Sequence, residues 1–307
     1  MTNSAAKGII STEVSSADPD AAGSGPSKGC GMAETKLRYV GFCGADDSVH
    51  PNKMALISRS YPWVEWGVLF RPDKEGQPRY ATTEWRTCLG KIAAKNPEMK
   101  LAAHLCGAHV NHLLSGDTFE ISVFLGSLKP MGFCRVQINA TAVNGVDTND
   151  MEYKALNLAD AMEDYPELEF ILQRNEETKC LWETILRTEG EGCGPKDGLP
   201  KNVVLLADES KGTGVRGSVW PSPPLEEELP TYRMGYAGGI NPSNVSSVLD
   251  EVIKAARGRE FWIDMESGVR STKNGKDVFD LDKCYKCIDE VCRREIKTHP
   301  KYLSFDS

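Results

Sequence analysis

Two pairs of small residues in the second half of the chain could bind a phosphate group. Gly238 and Gly239 close one apolar run, and Ser267 and Gly268 close the next. Glycine lets backbone N–H groups approach an anion, and a helix that begins after such a turn adds partial positive charge. Because successive strands of a barrel end at the same face, we predict that both turns form one phosphate site.

Cys43 and Asp208 each close an apolar run, and their side chains could transfer protons only in a suitable environment. A cysteine acts as a base only as a thiolate, which requires nearby positive charge or oriented dipoles. A carboxylic acid donates a proton near neutral pH only where burial or a neighbouring acid raises its pKa. Asp46 and Asp47, shortly after Cys43, are alternative candidates for the base or for a contact to a substrate hydroxyl.

His104 ends another run, and we interpret it as a substrate contact or a proton shuttle. Asn139, at the end of the fourth run, is a further candidate contact. His104, Cys106, His109 and His112 also allow a metal site, because His109 and His112 would share one face of a helix. The spacing fixes no acidic or histidine partner for them, so we assign no metal.

Gly212 and Gly214 follow Asp208 in a glycine-rich segment, and we predict that they contact the substrate. Lys211 and Arg216 bracket them and could meet a carboxylate or a phosphate. The order and spacing of glycine, lysine and serine or threonine are not those of a P-loop. The sequence implies no redox cofactor.

Eight short apolar runs must position these residues, and helix-like stretches separate them. The runs are Arg38–Cys43, Trp66–Phe70, Lys100–Cys106, Arg135–Asn139, Glu169–Gln173, Asn202–Asp208, Arg233–Gly238 and Glu260–Met265. The helix-like stretches are Asn52–Ser60, Thr83–Lys95, His109–Leu114, Thr148–Asp164, Glu176–Thr188, Ser243–Arg257 and Asp280–Lys297. This alternation predicts a closed (β/α)8 TIM barrel, with an open doubly wound sheet as the alternative. An extra apolar segment at Thr118–Pro130 does not fit the alternation.

Composition restricts the partners. Among 307 residues, 36 are Lys or Arg and 44 are Asp or Glu, a formal net charge of −8. Nucleic acid and anionic lipid are therefore not expected partners, because binding them requires clustered basic residues. No run approaches the roughly 20 apolar residues of a membrane span, and no secretory signal is evident, so we expect a cytoplasmic protein. Residues 1–34 predict a disordered tail and residues 35–307 the barrel, while the oligomeric state stays open.

Five segments together resemble phosphoribosylanthranilate isomerase, an enzyme of tryptophan biosynthesis, and occur in that family's order. They are Phe42–Gly44, Pro78–Tyr80, Leu206–Asp208 with Gly212–Gly214, Gly238–Val245 and Asp264–Val269. The resemblance implies a TIM barrel and an Amadori rearrangement of a small phosphorylated substrate. In that reaction an N-linked phosphoribosyl aldose amine becomes a 1-amino-1-deoxyketose phosphate.

The same resemblance implies a role for each matching residue. Cys43 would be the base, Asp208 the acid, and Arg79 the partner of the anthranilate carboxylate, while the glycine pairs would hold the phosphate. Two other functions stay open. One is a non-catalytic barrel that binds a phosphorylated metabolite, and the other is a metal-dependent hydrolase or lyase that uses His104.

Overall fold

A computed structural model of the chain describes residues 37–116, 118–186, 201–210, 219–224 and 233–294. Eight parallel strands form a closed barrel in chain order, and the last strand pairs with the first. The predicted (β/α)8 barrel is thus confirmed, and the open sheet is wrong, because an open sheet would leave the first and last strands unpaired. The strands are β1 Leu37–Cys43, β2 Val64–Phe70, β3 Lys100–Leu105, β4 Phe133–Ile138, β5 Glu169–Arg174, β6 Val203–Ala207, β7 Met234–Ala237 and β8 Phe261–Met265.

Helices alternate with the strands, and each predicted helix has a counterpart within a few residues of its expected bounds. The helices are α1 Pro51–Ser60, α2 Thr83–Ala93, α3 Ala108–Ser115, α4 Thr118–Leu128, α5 Met151–Asp164, α6 Lys179–Leu186, α7 Val245–Ala256 and α8 Leu281–Arg293. Strand and helix side chains share one apolar core, in which Val40 and Phe42 of β1 are buried with Val248 and Val252 of α7. Because side chains alternate along a strand, the neighbours of Val40 and Phe42 point into the barrel.

Two elements interrupt the simple alternation. One is α4, which follows α3 directly and accounts for the extra apolar segment. The other is a hairpin after β8, formed by β9 Arg270–Lys273 and β10 Lys276–Phe279. Its turn residues, Asn274 and Gly275, have φ of 53° and 74°, as a two-residue Asn-Gly turn requires.

Three glycines make room for large side chains inside the barrel. A methyl group at Gly235 would overlap the indole of Trp262, its register partner on β8. In the same way, a methyl group at Gly41 would overlap the carboxyl group of Asp264. At Gly67 it would lie 2.9 Å from Nε2 of His104 and 3.0 Å from Cα of Cys43. The space left at these three glycines is therefore needed by the indole of Trp262, the carboxyl of Asp264 and the imidazole of His104.

A buried charged cluster fills the barrel near the N-terminal ends of its strands. Arg135, on β4, donates to Glu65 at 2.7 Å and to Glu169 at 2.8 Å. Its guanidinium also lies 4.4 Å from the ring centroid of Trp262. Arg135 and Glu65 are only 2% and 3% exposed. These polar residues lie in the half of the barrel opposite the C-terminal strand ends.

Within the described residues, no helix is both long and apolar enough to cross a membrane. The predicted tail, residues 1–34, lies outside the described residues.

Candidate active site

A cavity of about 590 Å³ lies at the C-terminal ends of the barrel strands. It brings together eight of the residues predicted from the sequence: Cys43, His104, Asn139, Asp208, Gly238, Gly239, Ser267 and Gly268. Active sites of TIM barrels lie at this end, since the loops after the strands meet there. These residues are distributed along the chain from Cys43 to Gly268. They become neighbours only because the barrel closes.

Cys43 and His104 form a buried pair on the floor of this cavity. The Sγ atom of Cys43 lies 3.1 Å from Nδ1 of His104. Burial raises the pKa of the Cys43 thiol well above its usual value, and the carboxyl groups of Glu266 and Asp264 add to the rise. Burial also lowers the pKa of His104 to about 3. At neutral pH the pair is therefore a thiol and an uncharged imidazole, and the tautomer of His104 decides which of the two donates the hydrogen bond.

Asp208 follows β6 and is held by its neighbours. Its Oδ1 accepts hydrogen bonds from the Ser210 backbone N–H at 3.1 Å and from the Ser210 hydroxyl at 2.5 Å. Its Oδ2 accepts from Nε2 of Gln173 at 3.1 Å. These contacts fix the carboxyl group at the cavity wall, where it is 6% exposed.

Asp264 and Glu266 line the cavity too, although the sequence interpretation gave neither a role of its own. Asp264 makes no hydrogen bond with any described residue, and burial raises its pKa to about 8, with contributions from the charges of Glu65, Glu266 and Asp208. Glu266 accepts from Arg79 at 2.7 Å. A sequence signal for both was present, because the two-residue period of β8 places them on the inward face with Trp262.

The two glycine turns lie side by side on the cavity wall. Gly238 and Gly239 have φ of 110° and 66°, a conformation that favours glycine. The carbonyl oxygen of Gly239 accepts from Nδ2 of Asn244, which immediately precedes α7. The carbonyl of Ile240 lies directly against Gly268, where a side chain would collide with it. The turns after β7 and β8 thus pack on each other and face one cavity.

Asn139 is oriented by two neighbours. Its Oδ1 accepts from Nε2 of Gln137 at 2.8 Å, and its Nδ2 donates to Sγ of Cys106 at 3.2 Å. Gln137 also lines the cavity, whereas Cys106 lies behind it. The amides of Asn139 and Gln137 are the polar groups of this wall.

Arg79 and Asp46 lie behind the cavity lining and are engaged in ion pairs. The guanidinium of Arg79 donates to Glu266 and, at 3.2 Å, to Asp277 of the hairpin. The carboxylate of Asp46 accepts from Arg270 at 2.7 Å and from the Arg79 backbone N–H at 2.6 Å. Neither residue is among the described residues that line the cavity. Their contacts tie the β1 and β2 loops to the hairpin.

Two further predicted positions are not in the cavity lining. Asp47 accepts from the Thr82 backbone N–H at 2.8 Å and from its hydroxyl, just before α2. Thr82 in turn accepts from the Trp85 N–H and so caps the N-terminus of that helix. Gly212 and Gly214 lie outside the described residues, as do Lys211 and Arg216.

Carboxyl groups dominate the ionisable groups of the described cavity lining. Asp208, Asp264 and Glu266 contribute three of them, and no described lining residue is Lys or Arg. Glu266 is paired with Arg79, and a pKa of about 8 keeps most of Asp264 protonated at neutral pH. A cation inside the cavity would favour the ionised form of Asp264. Any phosphate group bound at the glycine turns would depend on backbone N–H groups.

Comparison with known proteins assigns no family to the chain. No model of a protein family and no curated protein matches the chain. Similar solved structures include N-(5'-phosphoribosyl)anthranilate isomerase from Pyrococcus furiosus, with a TM-score of 0.44 and 13% identity over 83% of this chain and 99% of that one. They also include a truncated 3-deoxy-D-arabino-heptulosonate 7-phosphate synthase from Thermotoga maritima, with a TM-score of 0.46 and 10% identity over 86% of this chain and 90% of that one. A D-psicose 3-epimerase crystallised with D-fructose gives a TM-score of 0.42 and 11% identity over 81% of this chain and 94% of that one. At these identities the likeness concerns the (β/α)8 fold alone.

Proposed function

We propose that this protein is an isomerase of the phosphoribosylanthranilate isomerase type, which converts a phosphorylated aldose amine into a ketose by acid/base catalysis. One observation carries the proposal. Asp208 and both glycine turns, Gly238–Gly239 and Ser267–Gly268, line a single cavity at the catalytic end of a TIM barrel. A dianion held by the turns would direct the attached sugar toward Asp208.

The polarity of the cavity suits a sugar derivative. The amides of Asn139 and Gln137 supply donors and acceptors for sugar hydroxyls. The cavity is open to solvent, so a substituent of the sugar can extend beyond it. The class of ligand that we propose is therefore a phosphorylated sugar.

Asp208 can carry both proton transfers of an Amadori rearrangement. As an acid it protonates the ring oxygen while the C1–O bond breaks, which leaves a protonated imine at C1. The carboxylate so formed then removes the C2 proton and yields an enolamine. The enolamine takes up a proton at C1 while its C2 hydroxyl releases one to solvent, which gives the neutral ketone. Every proton that Asp208 gives is thereby recovered.

Cys43 is less suited to act as the base that the resemblance implies. Its thiol would have to lose a proton that burial and two nearby carboxyl groups hold in place. Its neighbour His104 is a poor acceptor, since burial lowers its pKa to about 3. We therefore assign proton transfer to Asp208 and leave Cys43 outside it.

The carboxyl groups of the lining support this reaction in particular. The ring-opened intermediate is a cation, and a carboxylate fixed beside it stabilises its charge more than it stabilises the neutral sugar amine. Selective stabilisation of a charged intermediate lowers the barrier that leads to it. Asp208, once it has donated its proton, is one such carboxylate, and a cation beside Asp264 favours the ionised form of that carboxyl.

The variant Asp208→Asn tests the proposal with the full chain and a phosphoribosylated aromatic amine labelled with ¹³C at C2. We expect the ketone signal of the product to appear about 10²–10⁴ times more slowly than with the unchanged protein. Ribose 5-phosphate should still compete for the site. Asp147→Asn is the matched control, because Asp147 lies on the surface and pairs with Lys154.

Either of two results would contradict the proposal. Unchanged turnover in Asp208→Asn removes that residue from catalysis. Tight binding of ribose 5-phosphate with no product from any phosphorylated aldose amine favours the non-catalytic barrel instead.

A further inference from the structure

The floor of the cavity holds three side chains of the kinds that bind transition metals. Cys43 comes from β1, His104 from β3 and Asp264 from β8, and one ligand atom of each lies within 4.8 Å of the others. A sulfur, a nitrogen and an oxygen donor form a set typical of zinc and its neighbours in the periodic table. We infer that Cys43, His104 and Asp264 form a binding site for a divalent transition-metal cation such as Zn²⁺.

The Cys43–His104 half of the site requires only a small adjustment to hold such an ion. With bonds of usual length, a tetrahedral ion separates its sulfur and nitrogen ligands by about 3.5 Å. Sγ of Cys43 and Nδ1 of His104 are 3.1 Å apart, so binding would widen this pair by about 0.4 Å. The ligand atoms of all three residues lie within 4.8 Å of one another, so movement of the Asp264 carboxyl toward the pair would complete the site. In the tautomer that leaves Nδ1 unprotonated, its lone pair would face the ion.

Asp264 supplies an observation independent of that pair. Its carboxyl group reaches the cavity without a hydrogen bond to any described residue, and the side chain is partly exposed there. Gly41 has no side chain at the one place where a methyl group would displace this carboxyl. The carboxyl oxygens are therefore available to an ion in the cavity.

The surrounding charge favours a cation at that position. The carboxyl groups of Glu266 and Asp208 line the same cavity, and the described part of the lining contributes no lysine or arginine. On binding, the protons of the Cys43 thiol and the Asp264 carboxyl pass to solvent, and the electron pairs left on sulfur and oxygen bond to the ion. Three protein ligands leave a fourth position open toward the cavity, where water or a substrate oxygen can bind.

The site goes beyond the proposed isomerase, with which it shares only the cavity. A cation there would polarise a carbonyl or hydroxyl oxygen of a bound sugar. It would also explain why a buried cysteine faces the site without being suited to act as a base. Proton transfer by Asp208 needs no metal. The metal site and the isomerase proposal can therefore be refuted independently of each other.

The test uses the full chain purified without chelators and then titrated with Zn²⁺ or Co²⁺. We expect one ion per chain at the site, a thiolate-to-cobalt charge-transfer band in the near ultraviolet, and a higher melting temperature with Zn²⁺. Cys43→Ser should abolish the band. Cys106→Ser is the matched control, because Cys106 is a buried cysteine in the same small apolar cluster as Cys43. This variant should retain the charge-transfer band.

Asp264→Asn provides a second variant that preserves shape, so the test does not depend on Cys43→Ser folding. It should weaken Zn²⁺ binding by tenfold or more. A charge-transfer band that persists in Cys43→Ser, or full-length protein that binds neither ion, would overturn the site. Protein that turns over a phosphorylated aldose amine but takes up neither ion on titration would overturn the metal site while leaving the isomerase proposal intact. Protein that binds one ion per chain but shows no turnover would support the metal site and contradict the isomerase proposal.

Discussion

Removing the charge of Arg135 should lower the free energy of unfolding of this barrel more than removing most of its other charges. It is the ion-pair partner of Glu65, at 2.7 Å, and both side chains are almost fully buried. In Arg135→Met, Glu65 keeps no ion pair among the described residues, whereas Glu169 keeps Arg38 at 3.5 Å. Leaving one member of a buried pair unpaired costs about 3–5 kcal/mol. We expect the free energy of unfolding to fall by about that amount at pH 8.

The pH dependence of this loss follows from Glu65. Burial already raises the pKa of Glu65, and the charge of Arg135 opposes that rise. Without Arg135 the pKa rises further, so Glu65 takes up a proton as the pH falls and the loss becomes smaller. Stability relative to the unchanged protein should therefore be lower at pH 8 than at pH 5.

Urea unfolding at both pH values measures these differences. Adding Glu65→Gln to Arg135→Met should recover most of the loss at pH 8, because no buried charge then lacks a partner. Arg293→Met is the matched control, since Arg293 is exposed and its pairing with Glu290 contributes about 0–1 kcal/mol. A loss below about 1 kcal/mol in Arg135→Met, or no recovery in the double variant, would refute this account of the cluster.

Two further predictions concern stability. Gly235→Ala should lower the free energy of unfolding, measured in urea, by about 1–3 kcal/mol, because its methyl group overlaps the indole of Trp262. An unchanged midpoint of urea unfolding would show that the indole moves aside freely. Hydrogen bonds from Thr83 and Arg86 lower the pKa of Glu75 to about 2. The contribution of Glu75 to the free energy of unfolding is therefore fully present above pH 4.5 and declines as the pH falls toward 2. The difference in melting temperature between the unchanged protein and Glu75→Gln should shrink over that interval, and a constant difference would count against the pairing.

The strand pattern was sufficient to predict the barrel. Every apolar run became a strand, since an alternation of short apolar runs and amphipathic helices leaves few other ways to bury both. The hairpin after β8 was not predicted, although Asn274-Gly275 is a strong signal for such a turn. Its strands are short and polar, so apolar periodicity alone does not show them.

The site was predicted only in part, and the reason is geometric. Residues that close strands, such as Cys43 and Asp208, follow from the rule that TIM-barrel sites lie at the C-terminal strand ends. Pairing between strands does not follow from that rule. Sequence could not show that His104 meets Cys43, nor that Asp46 pairs with Arg270 instead of facing the cavity. The roles assigned to these residues remain predictions for the experiments above.

The glycines inside the barrel also bear on how its interior can change. Gly235 and Trp262 occupy one volume between them, as Gly41 and Asp264 do. A larger residue at one position therefore demands a smaller one at its partner, and the two sizes should covary when relatives of this chain are aligned. Mutant libraries that vary one of these positions at a time would mostly yield misfolded barrels, whereas libraries that exchange both members of a pair could reshape the floor of the cavity.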